Sequence, residues 1–84
     1  MNRILIYEYI NRLEKEDIIN YCNKKNIFIN DNELDTIYSY IKNDYQRFFN
    51  NPDEVLNEIK DRVSMYTYGE LMKLYNKYKR LIYK

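Results

Sequence analysis

The chain has 84 residues, a net charge of +1, no histidine and one cysteine. A chain of this length forms one domain, here residues 1–84, with a small hydrophobic core. The lack of histidine and the single cysteine exclude histidine general bases, zinc ribbons, intrachain disulfides and Cys–His nucleophiles. No nucleophile, base or cofactor motif is visible, so we expect a protein that is not an enzyme and that has no cofactor, metal or small-molecule substrate.

The sequence predicts a cytoplasmic location. Arg3, Glu8 and Arg12 interrupt the N-terminal apolar run, which excludes a secretion signal or a membrane span there. Cys22 lies among apolar residues and is interpreted as a buried small hydrophobic side chain rather than a reactive thiol. A single unpaired cysteine fits a reducing compartment.

The first segment, residues 4–13, has features of both a strand and a helix. The run Ile4-Leu5-Ile6-Tyr7 has strand propensity. Apolar side chains also recur at the helical spacing i, i+3, i+4 and i+7, at Ile6, Tyr9, Ile10 and Leu13. Because no second strand is available for pairing, we favour a helix.

A second helix follows the first segment. Ile18 and Cys22 share one face and predict a helix of about ten residues that ends at Lys24 or Lys25. Asn26 suits the left-handed conformation in which helices often end. We expect the next three residues to form an extended apolar connector.

The stretch around Asn30 marks the start of the longest predicted helix. Asn30 is predicted to be its N-cap, and Glu33 stands where its carboxylate completes a capping box. The apolar stripe that follows continues for about four turns, at Leu34, Ile37, Tyr38, Ile41, Tyr45 and Phe48. We expect this core helix to end near Asn50.

Two further helix starts follow. Asn51 is a predicted N-cap with Pro52 at the first helical position and Glu54 at N3. The buried stripe of that helix is Val55, Leu56, Ile59 and Val63. The last start is placed at Thr67, with Glu70 completing a third capping box. Five helices with short connections predict an all-α fold, a compact orthogonal bundle of about five short helices.

The last helix has the widest apolar face, and such a face either crosses the core or meets a partner. Its candidate partner-binding residues are Leu74, Tyr75, Tyr78 and Leu81. We therefore expect a protein-interaction or self-association module, whose partner is another protein or a second copy. The richness in tyrosine, 11 residues, is interpreted as an effect of A/T-rich codon usage rather than as a binding surface.

The same helix carries a basic stripe. Its members recur at i, i+4, i+7 and i+11 and are Lys73, Lys77, Arg80 and Lys84. Basic residues beside tyrosines can bind phosphates and stack on bases. We favour the interpretation as a solvated face whose cations complement the helix dipole. Weak nucleic-acid binding is the alternative function.

Other binding sites fit the sequence poorly. The acidic residues Glu54, Glu58 and Asp61 are interpreted as a solvated face rather than a cation site. A twelve-residue calcium loop ending at Glu33 would place Lys24 at a ligand position and lacks the turn glycine. A helix-turn-helix would open its recognition helix with three acidic residues, which repel phosphates.

Several segments together resemble a known family in their hydrophobic pattern and helix caps. They are residues 16–22, 24–30, 34–41, 49–54 and 68–78. Over roughly residues 13–78 the chain is similar to the YqfT-like family of short uncharacterised bacterial proteins. The resemblance implies a helical fold and transfers no activity, ligand or site residue.

Overall fold

Helices make up most of the chain in the computed structural model, which describes residues 3–82 and the side chains of residues 4–80. The helices are α1 (Arg3–Arg12), α2 (Lys15–Lys24), α3 (Asp31–Asn50), α4 (Pro52–Lys60) and α5 (Met65–Ile82). No strand occurs within this described part. The radius of gyration, 12.4 Å, is close to the ~12 Å of a compact domain of this length. The prediction of a compact all-α bundle is confirmed.

The first segment is a helix, as favoured from its spacing. Ile10 and Leu13 are buried at its end. Side chains of α3 satisfy the last carbonyl groups: Lys42 Nζ donates to the oxygens of Ile10 and Asn11, at 3.0 and 2.9 Å. The hydroxyl of Tyr38 donates to the Leu13 oxygen at 3.2 Å. A helix end needs such partners because its final carbonyls lack intrahelical donors.

Helix α2 has the predicted length. Glu14 is its N-cap, and Asp17 Oδ2 accepts a hydrogen bond from the Glu14 amide at 2.9 Å. The helix ends at Lys24, and Asn26 has a φ of 58°, the predicted left-handed conformation. Residues 27–30 form a connector without regular secondary structure.

Helix α3 begins with the predicted capping box. Asn30 Oδ1 accepts from the Glu33 amide at 2.8 Å, and Glu33 Oε1 accepts from the Asn30 amide at 3.4 Å. A kink lies at Asp44, whose φ of −121° and ψ of 16° are not helical. Tyr40 and Phe49 are buried although the predicted stripe omits them. Tyr40 is buried because α4 covers a second side of α3.

Helix α4 also begins as predicted. Asn51 Oδ1 accepts from the Glu54 amide at 3.4 Å, and Pro52 occupies the first turn. The buried side chains of α4 are Val55, Leu56 and Ile59, with Val63 half-buried beyond its end. Val55 and Ile59 form the centre of the hydrophobic core together with Tyr40, and Val63 packs against it.

The predicted start of α5 at Thr67 is wrong, because the helix begins at Met65. Ser64 is its cap: the Ser64 oxygen accepts from the Tyr68 amide at 2.9 Å, and Ser64 Oγ accepts from the Thr67 amide at 3.2 Å. Thr67 therefore lies within the first turn and is only 2% exposed. Glu70 does not close a capping box but forms an ion pair with Lys73 at 3.3 Å.

Two predicted site residues lie outside what the structure describes. They are Lys84 and the side chain of Leu81. Between residues 3 and 82, no helix is long and apolar enough to cross a lipid bilayer.

Candidate functional site

Helices α3 and α5 run in the same direction and contact each other at two places, near their starts and again further along. At the start, Glu33 of α3 contacts Ser64 of α5. Further on, the ring of Phe48 meets the ring of Tyr75 edge to face, with centroids 5.6 Å apart. The two helices therefore form the walls of a space that lies between these contacts.

The contact at the start, here called the α3–α5 joint, consists of Glu33, Ser64 and Thr67. Glu33 Oε2 accepts a hydrogen bond from the Ser64 amide at 2.7 Å, and Ser64 Oγ bonds Thr67 Oγ1 at 3.1 Å. In a capping box, a carboxylate three residues after the cap binds the amide of the cap residue. Here Glu33, 31 residues earlier in the chain, supplies that carboxylate. One side chain thus completes the caps of both α3 and α5.

The Glu33 carboxylate stays ionised because its oxygens are well supplied with donors. Burial alone would raise its pKa. Hydrogen bonds from the Ser64 amide and hydroxyl, from Thr67 and from the Asn30 amide outweigh burial, so the pKa lies below its ordinary value. The joint is therefore a buried polar contact with satisfied partners.

Beyond the joint, the walls enclose an open apolar cleft that contains two cavities. The larger has a volume of about 340 Å³ and is lined almost entirely by apolar atoms. Its walls include Ile41 and Phe48 of α3 and Leu74 and Tyr75 of α5. Its floor is the core of α4, around Leu56. No side chain of residues 4–80 is both large and fully buried, which fits a core that is open on this side.

The smaller cavity, about 270 Å³, continues the first toward α2. The two share four lining residues, Ile37, Ile41, Leu71 and Leu74. The smaller one also reaches Cys22, whose half-buried thiol has a pKa raised by burial. The raised pKa favours the protonated thiol, and Cys22 is half-buried rather than buried as the sequence predicts.

Exposed tyrosines stand at the edges of the cleft. Tyr78 lines the larger cavity and is 41% exposed. Tyr9 of α1 and Tyr21 of α2 line the smaller cavity and are also exposed. Tyrosine combines an apolar ring with a polar hydroxyl, which is why it is common at protein interfaces.

The predicted partner-binding residues are brought together in part. Leu74 and Tyr75 are half-buried and line the wall of the cleft, and Tyr78 is exposed at its edge. Tyr9 and Tyr21 were missed, because α1 and α2 are distant in sequence from α5 and no local pattern links them. Tyr45 and Phe48, which the sequence placed on the apolar stripe of the core helix, line the larger cavity, and Phe48 also packs against the core.

A third, shallower recess of about 200 Å³ adjoins the smaller cavity and is basic. We call it the lysine recess. Its lining consists of Lys25, Lys73 and Lys77, together with Tyr21, Ile27, Glu70 and Leu74. Two members of the predicted basic stripe thus share a site with Lys25, the C-cap residue of α2, which the sequence did not assign to a site.

The rest of the basic stripe lies along the exposed side of α5. Arg80 is exposed, and Lys77 Nζ stands 5.4 Å from the ring centroid of Tyr78. Lys73 is 76% exposed and paired with Glu70. One of its four predicted charges is therefore partly neutralised by a neighbour on the same helix.

The acidic face of α4 is not simply solvated, which corrects that interpretation for Glu58. Arg47 of α3 forms a bidentate ion pair with Glu58: Nη1 donates to Oε2, and Nη2 donates to Oε1 at 3.0 Å. The hydroxyl of Tyr40 donates to the same Oε1 at 3.1 Å. Hydrogen bonds from Arg47 foremost, opposed by desolvation, lower the pKa of Glu58 to about 2. This network ties α3 to α4, so its role is structural.

Comparison with known protein families, curated proteins and solved structures finds no match to this chain. The resemblance to the YqfT-like family stays a prediction. The candidate site is therefore defined by its own geometry, as an apolar cleft with a tyrosine edge and a basic recess at one end.

Proposed function

We propose that this chain is a protein-interaction module that receives the apolar face of a partner's helix in the cleft between α3 and α5. The observation that supports this most directly is the larger cavity, whose lining from Ile41 to Tyr75 is almost wholly apolar and open to solvent. Open apolar surface is unfavourable in water, and a partner that covers it gains the hydrophobic free energy of burial.

The shape of the cleft favours a helix as the occupant. Two walls from α3 and α5 that run in the same direction form a groove, the arrangement in which amphipathic helices dock. A cavity of ~150 Å³ holds one benzene ring, so cavities of about 340 and 270 Å³ have room for large side chains. Such side chains come from one helix face at i, i+3 or i+4, and i+7.

The tyrosine edge gives the module a means of holding a protein rather than a lipid. Tyr9, Tyr21 and Tyr78 surround the cleft. Tyrosine is enriched at protein interfaces because it offers a large rigid ring and a polar hydroxyl together. We place this interaction in the cytoplasm, a setting that the free, half-buried thiol of Cys22 supports.

The test is a selection experiment with a matched pair of variants. A display library patterned as short amphipathic helices is panned against the purified chain, and the selected helices are measured by fluorescence anisotropy. We expect Leu74→Asp and Tyr78→Ser to weaken binding by about tenfold or more. Phe28→Ser, an 80% exposed residue that lines neither cavity, leaves binding unchanged.

Circular dichroism controls for folding, and the exposed position of Tyr78 keeps the test valid if Leu74→Asp unfolds the chain. Light scattering over a concentration series measures self-association in parallel. If no helix is selected and the chain stays monomeric at all concentrations, the proposed function is wrong. If Phe28→Ser weakens binding as much as Tyr78→Ser does, the docking surface lies elsewhere.

A further inference from the structure

We infer that the partner helix is acidic at the end that lies over the lysine recess. This inference rests on the proposed function, since it concerns the occupant of the cleft. The recess shares Tyr21, Ile27, Glu70 and Leu74 with the smaller cavity, so a helix that fills the cleft passes directly over its lysines.

The charge at this end of the cleft is positive. The recess is lined by three lysines, Lys25, Lys73 and Lys77, and by one acid, Glu70, so positive charge exceeds negative charge there. Glu70 is half-buried and contacts Lys73 at 3.3 Å, whereas Lys73 and Lys77 are exposed. Exposed cations at the edge of an interface steer and orient an oppositely charged partner.

The other charges near the cleft do not cancel this asymmetry. Asp17 lines the smaller cavity on the α2 side. Lys79 and Arg80 add positive charge on the exposed side of α5. No charged residue lines the larger cavity. The cleft therefore has an uncharged end at the larger cavity and a basic end at the lysine recess.

The walls also limit the length of the occupant. From Ile37 to Phe49 the lining of α3 spans 12 residue steps, or about 18 Å at 1.5 Å per residue. A partner helix of about three turns covers that distance. Its expected pattern is apolar residues at i, i+3 or i+4, and i+7 on one face, with Asp or Glu beside them at one end.

A second copy of the chain does not fit this description. Among the described helices, α1 is the one with exposed large apolar side chains at helical spacing, at Ile4, Leu5 and Tyr9. The charged residues of this helix are one acid, Glu8, and two bases, Arg3 and Arg12, so it is not acidic. The inference is therefore committed to a different protein that supplies an acidic amphipathic helix.

The test repeats the helix selection on the wild-type chain and on the double variant Lys73→Glu/Lys77→Glu. We expect wild-type selections to be enriched in Asp and Glu at one end, and the double variant to select Lys and Arg there. A selected acidic peptide should lose about tenfold in affinity against the double variant, and its Gln-substituted form should lose none. The wild-type advantage should shrink with added salt, because exposed pairs are screened.

A matched control is Lys60→Glu on α4, which reverses an exposed charge but lines none of the three cavities. It should leave the acidic preference unchanged. If helices are selected but show no acidic bias, the partner inference is wrong while the docking function stands. If no helix is selected but the chain self-associates, the partner inference alone is wrong. If no helix is selected and the chain stays monomeric at all concentrations, both fail.

The same variants distinguish the docking of an acidic helix from the binding of nucleic acid. A labelled oligonucleotide that binds the wild type at low salt, loses binding in the double variant and is unaffected by Tyr78→Ser would assign the lysines to phosphate contacts. That result, together with unbiased helix selections, would overturn the inference.

Discussion

Helix α5 meets the rest of the chain in two ways, through buried polar contacts at the α3–α5 joint and through an open apolar cleft along its later turns. At the joint, Thr67 is 2% exposed and Glu33 receives amide donors from two helix starts. Along the cleft, exposure rises to 41% at Tyr78. The joint fixes the position of α5, whereas the cleft leaves apolar surface available to a partner.

The difference separates the contacts that stabilise the fold from the surface at which we propose that a partner docks. A domain of this length buries only a modest part of its surface. The fold is stabilised by the hydrogen-bonded contacts of the α3–α5 joint and by the packed core and ion pair between α3 and α4. The apolar surface between Ile41 and Leu74 is not covered by the chain itself, and we propose that another molecule covers it.

The largest expected effect comes from the core beneath the cleft. Ile59 is buried in the cluster with Tyr40 and Val55, so Ile59→Ala should lower the free energy of unfolding by about 2–5 kcal/mol. Leu74 is half-buried on the open wall, and Leu74→Ala should cost only about 1 kcal/mol. Urea denaturation measures both. Equal losses would mean that the cleft is packed as tightly as the core.

The second effect concerns the joint. Glu33→Ala removes the acceptor of the Ser64 amide and should lower the free energy of unfolding by about 1–3 kcal/mol. Glu33→Gln keeps one oxygen as an acceptor and should cost less. Glu16→Ala, at an exposed position of α2, is the matched control. A loss no larger than that of the control would show that the joint does not hold α5.

A cleft-filling substitution should act in the opposite direction. Leu74→Phe adds volume beside the larger cavity and should raise the free energy of unfolding by about 0.5–1 kcal/mol. Leu34→Phe, at a buried position that lines neither cavity, should lower it by about 1–3 kcal/mol. Thermal unfolding compares the two. Destabilisation by both would indicate that the cleft has no free volume.

The smallest effect is a pH dependence of the network between α3 and α4. The folded pKa of Glu58, about 2, lies below its unfolded value, so its contribution is complete above the unfolded pKa of about 4.3 and is lost as pH falls toward 2. Glu58→Gln should therefore flatten the fall in unfolding temperature between pH 5 and pH 2, relative to wild type. An identical slope in the wild type and the variant would show that this network does not contribute to the pH dependence of stability.

The sequence correctly predicted the helix starts whose capping residues lie close together in the chain. Asn30 with Glu33, and Asn51 with Glu54, are within one turn of each other and were placed correctly. The start of α5 was misplaced because Thr67 and Glu70 have the same local pattern. The true cap, Ser64, has its carboxylate in Glu33, 31 residues away, and no local pattern contains that pair.

The cleft, too, could be predicted from the sequence only in part. Its α5 wall was predicted, since Leu74, Tyr75 and Tyr78 share a wide apolar face. The contributions of Tyr21 and Lys25 depend on how α2 lies against α5, which only the folded chain defines. The apolar stripe of α3 was visible, but its period does not say whether a neighbouring helix covers it fully.

The most direct test of the open cleft is the response of methyl groups to dissolved xenon, which enters apolar cavities. In a methyl-labelled sample, the resonances of Ile41, Leu71 and Leu74, which line both cavities, should shift with xenon pressure. Leu34 and Val63, which line neither, should not. Equal and negligible shifts at all five residues would contradict the account, because they would mean that the space between α3 and α5 is closed.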